Sequence, residues 1–289
     1  SKPFIICYYE DGKLVEIWPL ELKKNKLIFI NDTHADFCDI ISETDSLTVV
    51  DFLKENKLAS LLRLKNLEKE SIAIKKTDSI KVKDVSFSLN YSLLKLGKSD
   101  NFPSNFNHFV YRQKRRLKRI LKKYNYNTVL YEIESSNFPI EKIKKLRIQM
   151  IELEIRNHKF LDDDLISLTE NLYNSGSLVV NEVIVENNTT AISLIFKKDY
   201  SYSFWIDLFN EQQMMNLVSN TAFIKEITQK NSATFNFGRG DYSYKIQNFG
   251  PEVIPLFELN TYSTEVEKYL SLFLKSVKLV LKKLYKKFR

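Results

Sequence analysis

The chain is poor in the residues that build several familiar kinds of site. Two cysteines, Cys7 and Cys38, among 289 residues leave no disulfide framework and no structural zinc site. Six glycines and six prolines argue against collagen-like, glycine-loop dinucleotide-binding and linker-heavy architectures. The three histidines, His34, His108 and His158, lie far apart. His34 and Cys38 share a helical i,i+4 spacing, but no second ligand pair accompanies them, so no metal is expected. There is no G-x-x-x-x-G-K-[ST], G-x-G-x-x-G, G-x-S-x-G or H-E-x-x-H motif. No apolar run approaches the ~18 residues needed to span a bilayer. The opening Ser1-Lys2-Pro3-Phe4 resembles neither an initiator methionine nor a signal peptide. A trimmed or truncated start and a cytoplasmic setting are the corresponding expectations.

What is present is apolar and aromatic. Hydrophobic residues make up 44% of the chain and aromatics 13%, enough for a sizeable core and too much for a disordered chain. The net charge is +8, but it is concentrated. Residues 112–123 carry eight basic side chains and no acid, residues 264–289 a net +6, and the rest a net −6. A mildly acidic body with two basic helices is a poor general nucleic-acid coat.

Phe4–Tyr9 and Leu14–Leu20 flank Glu10-Asp11-Gly12-Lys13, a hairpin signal. Leu27–Ile30 reads as a strand and Asp45–Asn56 as a helix. Leu58–Leu64 and Ser71–Ile74 read as short strands separated by a turn at residues 65–68. Asn101-Phe102-Pro103-Ser104-Asn105 marks a loop and a domain boundary. Beyond it comes a basic helix at 106–124, with Phe106, Val110, Leu117 and Leu121 on one stripe. A strand is expected at Asn127–Ile133, a long helix at Pro139–His158 and a second helix from Asp162 to Tyr173. Leu178–Val185, Thr190–Phe196 and Ser203–Phe209 read as strands, with a turn at Asn187-Asn188. A helix at about 217–230 and a strand at Ala233–Phe237 follow. This is an α+β order around a mixed sheet. The tail, 264–289, reads as an amphipathic helix with Val266, Leu270, Phe273, Val277, Val280, Leu281, Leu284 and Phe288 on one face.

One segment stands apart: Phe235-Asn236-Phe237-Gly238-Arg239-Gly240-Asp241, then Tyr244-Lys245 and Phe249-Gly250. It holds three of the six glycines within thirteen residues. Glycine there permits positive φ and close backbone approach where a strand ends. The bland alternative is a turn with solvated charges.

The string F-x-F-G-R-G-D-x-x-Y-K-x-x-x-F-G resembles the signature of bacterial acetyltransferases of cellulose and exopolysaccharide synthesis, within the GNAT superfamily. It is more distantly similar to the G-x-x-x-F-K-x-x-F-G element of the Fem peptidoglycan aminoacyltransferases. Asp11-Gly12-Lys13 with Trp18-Pro19-Leu20, the stretch Thr33–Asp39, the helix Tyr111–Leu117 and Arg156 extend the likeness. It implies tandem GNAT-like halves, 1–105 and 106–263, and a separate C-terminal helix, 264–289. A strand and a helix that usually precede the hairpin are absent, which implies a truncated first half.

The resemblance implies an N-acyltransferase that moves an acyl group from acyl-CoA, acetyl-CoA by default, to an amine of an amino sugar or sugar nucleotide. Lys245 would stabilise the carbonyl oxygen or a phosphate. Asp241 is the first choice of base and Asp36 the second, with Tyr244 as proton donor to the leaving group. Arg239, Arg115, Arg116 and Arg119 would hold substrate phosphates, since guanidinium pairs with phosphate bidentately. Ser219, Asn220 and Thr221 stand where the family has a glycine turn, and would receive the coenzyme pyrophosphate at a helix N-terminus. Two rival readings remain open. One is a Fem-like transferase using aminoacyl-tRNA. The other is a non-catalytic scaffold whose tail contacts the inner face of a membrane, the tail packing instead on the body being its own alternative.

Overall fold

The computed structural model describes residues 2–30, 32, 38–98, 115, 119, 122, 125–210, 215–240 and 242–287, with backbone alone at 216, 244, 279, 282–284, 286 and 287. In chain order these form β1 (Lys2–Glu10), β2 (Lys13–Lys23), β3 (Lys26–Phe29), β4 (Ile41–Ser42), α1 (Thr48–Glu55), β5 (Arg63–Leu67), α2 (Ile72–Lys76), β6 (Lys83–Leu96) and β7 (Tyr126–Tyr131). There follow α3 (Ile140–Glu152), α4 (Asp163–Asn174), β8 (Leu178–Val185), β9 (Asn188–Lys198), β10 (Ser201–Phe209), α5 (Met215–Lys230), β11 (Ala233–Arg239), α6 (Ser243–Phe249), β12 (Glu252–Thr261) and α7 (Glu265–Lys287). Two compact units emerge, residues 1–90 with 255–289, and residues 91–254. The second begins inside β6 rather than at the Pro103 loop, and the tail helix groups with the first.

In the first unit, Asp11 and Gly12 take positive φ at the tip of the β1–β2 hairpin, as its tight turn requires. Trp18, Leu20, Leu27 and Phe29 then face Val49, Val50 and Leu53 of α1 and Leu62 and Leu64 at β5. Inside this core Lys76 pairs with Glu16, whose carboxylate also takes hydrogen bonds from the Trp18 indole and the Ser42 hydroxyl. Strand order continues β5-β12-β6.

Three sequence expectations fail here. The strand expected at Leu58–Leu64 begins only at Arg63, after a 3-10 turn at Ala59–Leu61. Ser71–Ile74 is not a strand but the start of α2. The Ser71 hydroxyl accepts the Ile74 N–H, and the Asp39 carboxylate accepts those of Ile72 and Ala73, so the orphan donors of a helix start are satisfied. The turn expected at 65–68 is instead largely strand β5, which pairs with β12.

In the second unit the order is β6-β11-β10-β9-β8-β7, antiparallel except for parallel β10 and β11. One face of β8–β10 presents Leu178, Val180, Ile192, Leu194 and Leu208 to Ile143, Leu146 and Met150 of α3 and to Tyr173 of α4. Val183, Ala191, Met215 and Val218 form one apolar cluster on the side of α5, and Val179, Ile195, Phe223 and Ile224 belong to another.

Two local expectations shift. The long helix ends at Glu152, not His158, because Glu154 enters the left-handed region and the N–H groups of Ile155 and Arg156 both turn back to the Met150 carbonyl. The β8–β9 turn sits at Glu186-Asn187, both with positive φ, while Asn188 already pairs with Val185. The aromatic stretch after residue 240 contains α6 and β12. The helix expected at 106–124 lies outside the described residues except for Arg115, Arg119 and Lys122, which are helical and exposed.

Candidate functional site

Parallel strands β10 and β11 stay together for only three pairs, Ser201↔Thr234, Tyr202↔Phe235 and Ser203↔Asn236. Both then lose register with their outer neighbours, β10 against β9 at Phe204/Ile206 and β11 against β6 at Asn236/Arg239. The two strands therefore diverge towards their carboxyl ends. In α/β sheets such an opening is where ligands bind, because backbone groups there have no strand to pair with.

Aromatic packing holds the base of the opening. Phe204 stacks on Phe237 with ring centroids 5.1 Å apart, and Phe237 stacks on Phe249 of α6 at 4.5 Å. The spaced phenylalanines of the F-x-F-G…F-G string thus clamp α6 against the sheet. Gly238 and Gly240 both have positive φ, and a Cβ on Gly240 would lie 2.4 Å from the Tyr242 ring. A side chain at 240 is excluded on both counts.

That clamp positions Lys245, which is only 6% exposed. Its ammonium donates to the carbonyls of Arg239 at 2.8 Å and Gly238 at 3.3 Å, and lies 5.2 Å from the Tyr242 ring centroid. The positive charge is therefore turned inward at the end of β11.

The facing arm carries an acid that no motif singles out. Asn181, Ser193 and Asp207 are cross-strand neighbours in register on β8, β9 and β10. The hydroxyl of Ser193 donates to the Asp207 carboxylate at 2.8 Å and also to the amide oxygen of Asn220 at 3.0 Å. Asn181 donates to the Ser219 carbonyl and hydroxyl, each at 2.9 Å. A polar stripe thus crosses the sheet beneath α5, between two apolar clusters. Burial pushes the Asp207 carboxyl above the usual carboxylate range, while hydrogen bonds from Ser193 and Asn220, then the charges of Arg156 and Lys245, oppose that rise. Arg156 and Lys245 are accordingly each within electrostatic reach of Asp207. The Arg156 guanidinium sits 5.3 Å from the centre of the Phe160 ring.

A polar stripe inside an apolar interface costs folding free energy that a valine there would not. Among the described residues, the amide oxygen of Asn181 and the hydroxyl of nearby Thr221 on α5 are buried without a hydrogen-bond partner. Unsatisfied polar atoms of this sort cluster where a site serves something besides stability.

Of the residues marked from sequence, the structure joins Lys245 to the Arg239 backbone and Asn220 to Asp207, while Ser219 bonds Asn181 and Ser193. Ser219, Asn220 and Thr221 lie within α5, whose first residue is Met215, and their side chains are buried. The helix N-terminal amides thus precede these three residues in the chain. Asp36, Asp241 and Arg116 lie outside the described residues, as does the side chain of Tyr244. Arg115 and Arg119 are exposed. Sequence reading missed Asp207, Ser193 and Asn181. The available signal was an ionisable residue within Phe204–Phe209, an otherwise apolar strand.

No family model matches the chain, and no curated protein matches it in sequence. Solved structures do. The DUF2156 C-terminal domain of a protein assigned as a lysylphosphatidylglycerol synthetase from Agrobacterium fabrum superposes with a TM-score of 0.65 at 11% identity, covering 96% of this chain and 88% of that one. L-PGS from Bacillus licheniformis gives 0.62 at 11% identity, over 94% and 88%. FemX gives 0.53 at 12% identity, over 89% and 87%. At these identities the likeness is one of fold, an α+β arrangement around a mixed sheet of the class that the sequence implied.

Proposed function

We propose that the chain is an acyltransferase whose reaction takes place where β10 and β11 part, and that the group it moves is an aminoacyl group. The observation that carries this reading is the half-buried carboxylate of Asp207 on β10, with the buried Lys245 beyond the end of β11. An acetyl group offers nothing to a carboxylate. An aminoacyl ester carries an α-ammonium, which a carboxylate set among hydroxyl and amide groups is suited to bind. The neighbouring folds include proteins named for attaching lysine to phosphatidylglycerol, and this supports the same choice.

In the proposed reaction a nucleophilic amine or hydroxyl of the acceptor attacks the carbonyl carbon of the aminoacyl ester. The C–O π electrons move to oxygen, giving a tetrahedral oxyanion. That intermediate collapses, the ester C–O bond breaks, and a tRNA ribose hydroxyl leaves. The acceptor's proton passes to the leaving oxygen, with Asp241 and Tyr244 the proposed carriers and Asp36 a second base. Lys245 faces the developing negative charge, where one fixed donor is worth about 3–4 kcal/mol. Arg239 orders the loop that holds Lys245, while Arg115, Arg116 and Arg119 attract tRNA phosphates.

In the second reading the donor is acyl-CoA and the acceptor an amino sugar. The Ser219–Thr221 stretch and the likeness of the Phe235–Gly250 segment to polysaccharide acetyltransferases favour it. A thermal-shift titration separates the two. Aminoacyl-tRNA is expected to raise the melting temperature and acetyl-CoA to leave it unchanged. A shift with acetyl-CoA alone contradicts the aminoacyl reading.

A further inference from the structure

Helix α7 is built inside out. Its contacts with the rest of its unit are polar: the Glu267 carboxylate accepts the Ser263 N–H at 2.8 Å, Lys275 donates to the Ser86 hydroxyl at 3.2 Å, and Ser271 hydrogen-bonds Tyr262. The apolar side is bare. Val266, Tyr269, Leu270, Phe273, Leu274 and Val280 are all more than half exposed, with Phe273 at 64%. At 100° per residue the exposed apolar residues fill one continuous arc, from Tyr269 at one edge to Tyr285 at the other. An apolar face of this size left in water marks a docking surface.

We infer that this face lies in the interface of an anionic phospholipid bilayer. Three features favour that occupant over a second copy of the chain. The segment 264–289 carries a net +6, so two copies side by side repel, whereas anionic headgroups attract it. Tyrosines stand at both margins of the apolar arc, the level where an amphipathic ring meets headgroups. Lys278 is exposed just beyond the Tyr285 margin of the apolar arc, within reach of lipid phosphates once the apolar residues insert. Among the described residues no helix is long and apolar enough to cross a membrane, so α7 would lie along the surface.

The test is vesicle co-sedimentation of the full chain. Phosphatidylcholine vesicles with 30% phosphatidylglycerol are compared with pure phosphatidylcholine, using wild type and the double variant Leu270→Ser/Phe273→Ser. Both positions are exposed, so the variant is expected to keep the wild-type melting temperature. Binding to the anionic vesicles is expected to exceed binding to neutral ones about tenfold, to weaken in 0.5 M salt, and to fall about tenfold in the variant. Equal binding by variant and wild type overturns the proposal. So does a concentration-dependent dimer that the variant abolishes while vesicles bind neither protein, which would assign the face to a second copy. None of these results bears on which acyl donor is used.

Discussion

Asp207 and Lys245 are opposite kinds of charge at the same end of the sheet, one half-buried and one buried. Lys245 donates to two backbone carbonyls, while among the described residues the Asp207 carboxylate accepts from the neutral Ser193 and Asn220 side chains, with Arg156 and Lys245 acting through charge. A carboxyl whose folded pKa is raised above its unfolded value holds its proton longer in the native state. Its contribution to stability therefore falls as pH rises through the window between the two values. Asp207→Asn is expected to keep or raise the melting temperature at pH 7.5, with the difference from wild type shrinking towards pH 4, while transfer activity is lost. Calorimetry at both pH values checks this, and a clear loss of stability at pH 7.5 would show that Asp207 is a structural anchor instead. Of the pair, only Lys245 was legible in the sequence, because it belongs to a dense string of glycine and aromatic residues. Asp207 was not, since its partners Ser193 and Asn220 are 14 and 13 residues away and only strand register brings them together.

At the scale of elements, short segments were misread where side-chain caps decided the outcome. Apolar Ile72-Ala73-Ile74 fits a strand by composition, and becomes α2 because Ser71 and Asp39 occupy its first N–H groups. The β1–β2 hairpin and strands β8–β10 were legible because alternation and turn residues agree with the tertiary fold, whereas β6, the longest strand at 14 residues, and β12 were not marked. Helix α2 also carries Lys76, whose pairing with Glu16 ties it to β2 inside the first core. Removing one member of such a pair strands a charge without water. Lys76→Met is expected to cost about 3–5 kcal/mol, most of it recovered in Glu16→Gln/Lys76→Met. Urea unfolding of both variants measures this. If the double variant is as unstable as the single, packing around Lys76 dominates instead of its charge.

For the whole molecule, fold class was legible and partition was not. Alternating strands and helices give an α+β sheet whichever way the units divide. The actual units are discontinuous, because β6 and β12 each contribute residues to both, and no composition shift marks a boundary that falls inside a strand. The same holds for the opening between β10 and β11, which follows from parallel pairing between strands separated by α5. Lys245 follows the carboxyl end of β11 and Asp207 lies near that of β10, on the two strands that part there.

The most direct test follows a radiolabelled aminoacyl group from mixed charged tRNA into product, with a crude membrane and wall-precursor extract as acceptor. Wild type is compared with Lys245→Met, which keeps the chain length and removes the charge. The variant is expected to remain folded and to transfer label about 10²–10³-fold more slowly, with Lys245→Arg in between. Transfer by Lys245→Met at the wild-type rate would contradict the account.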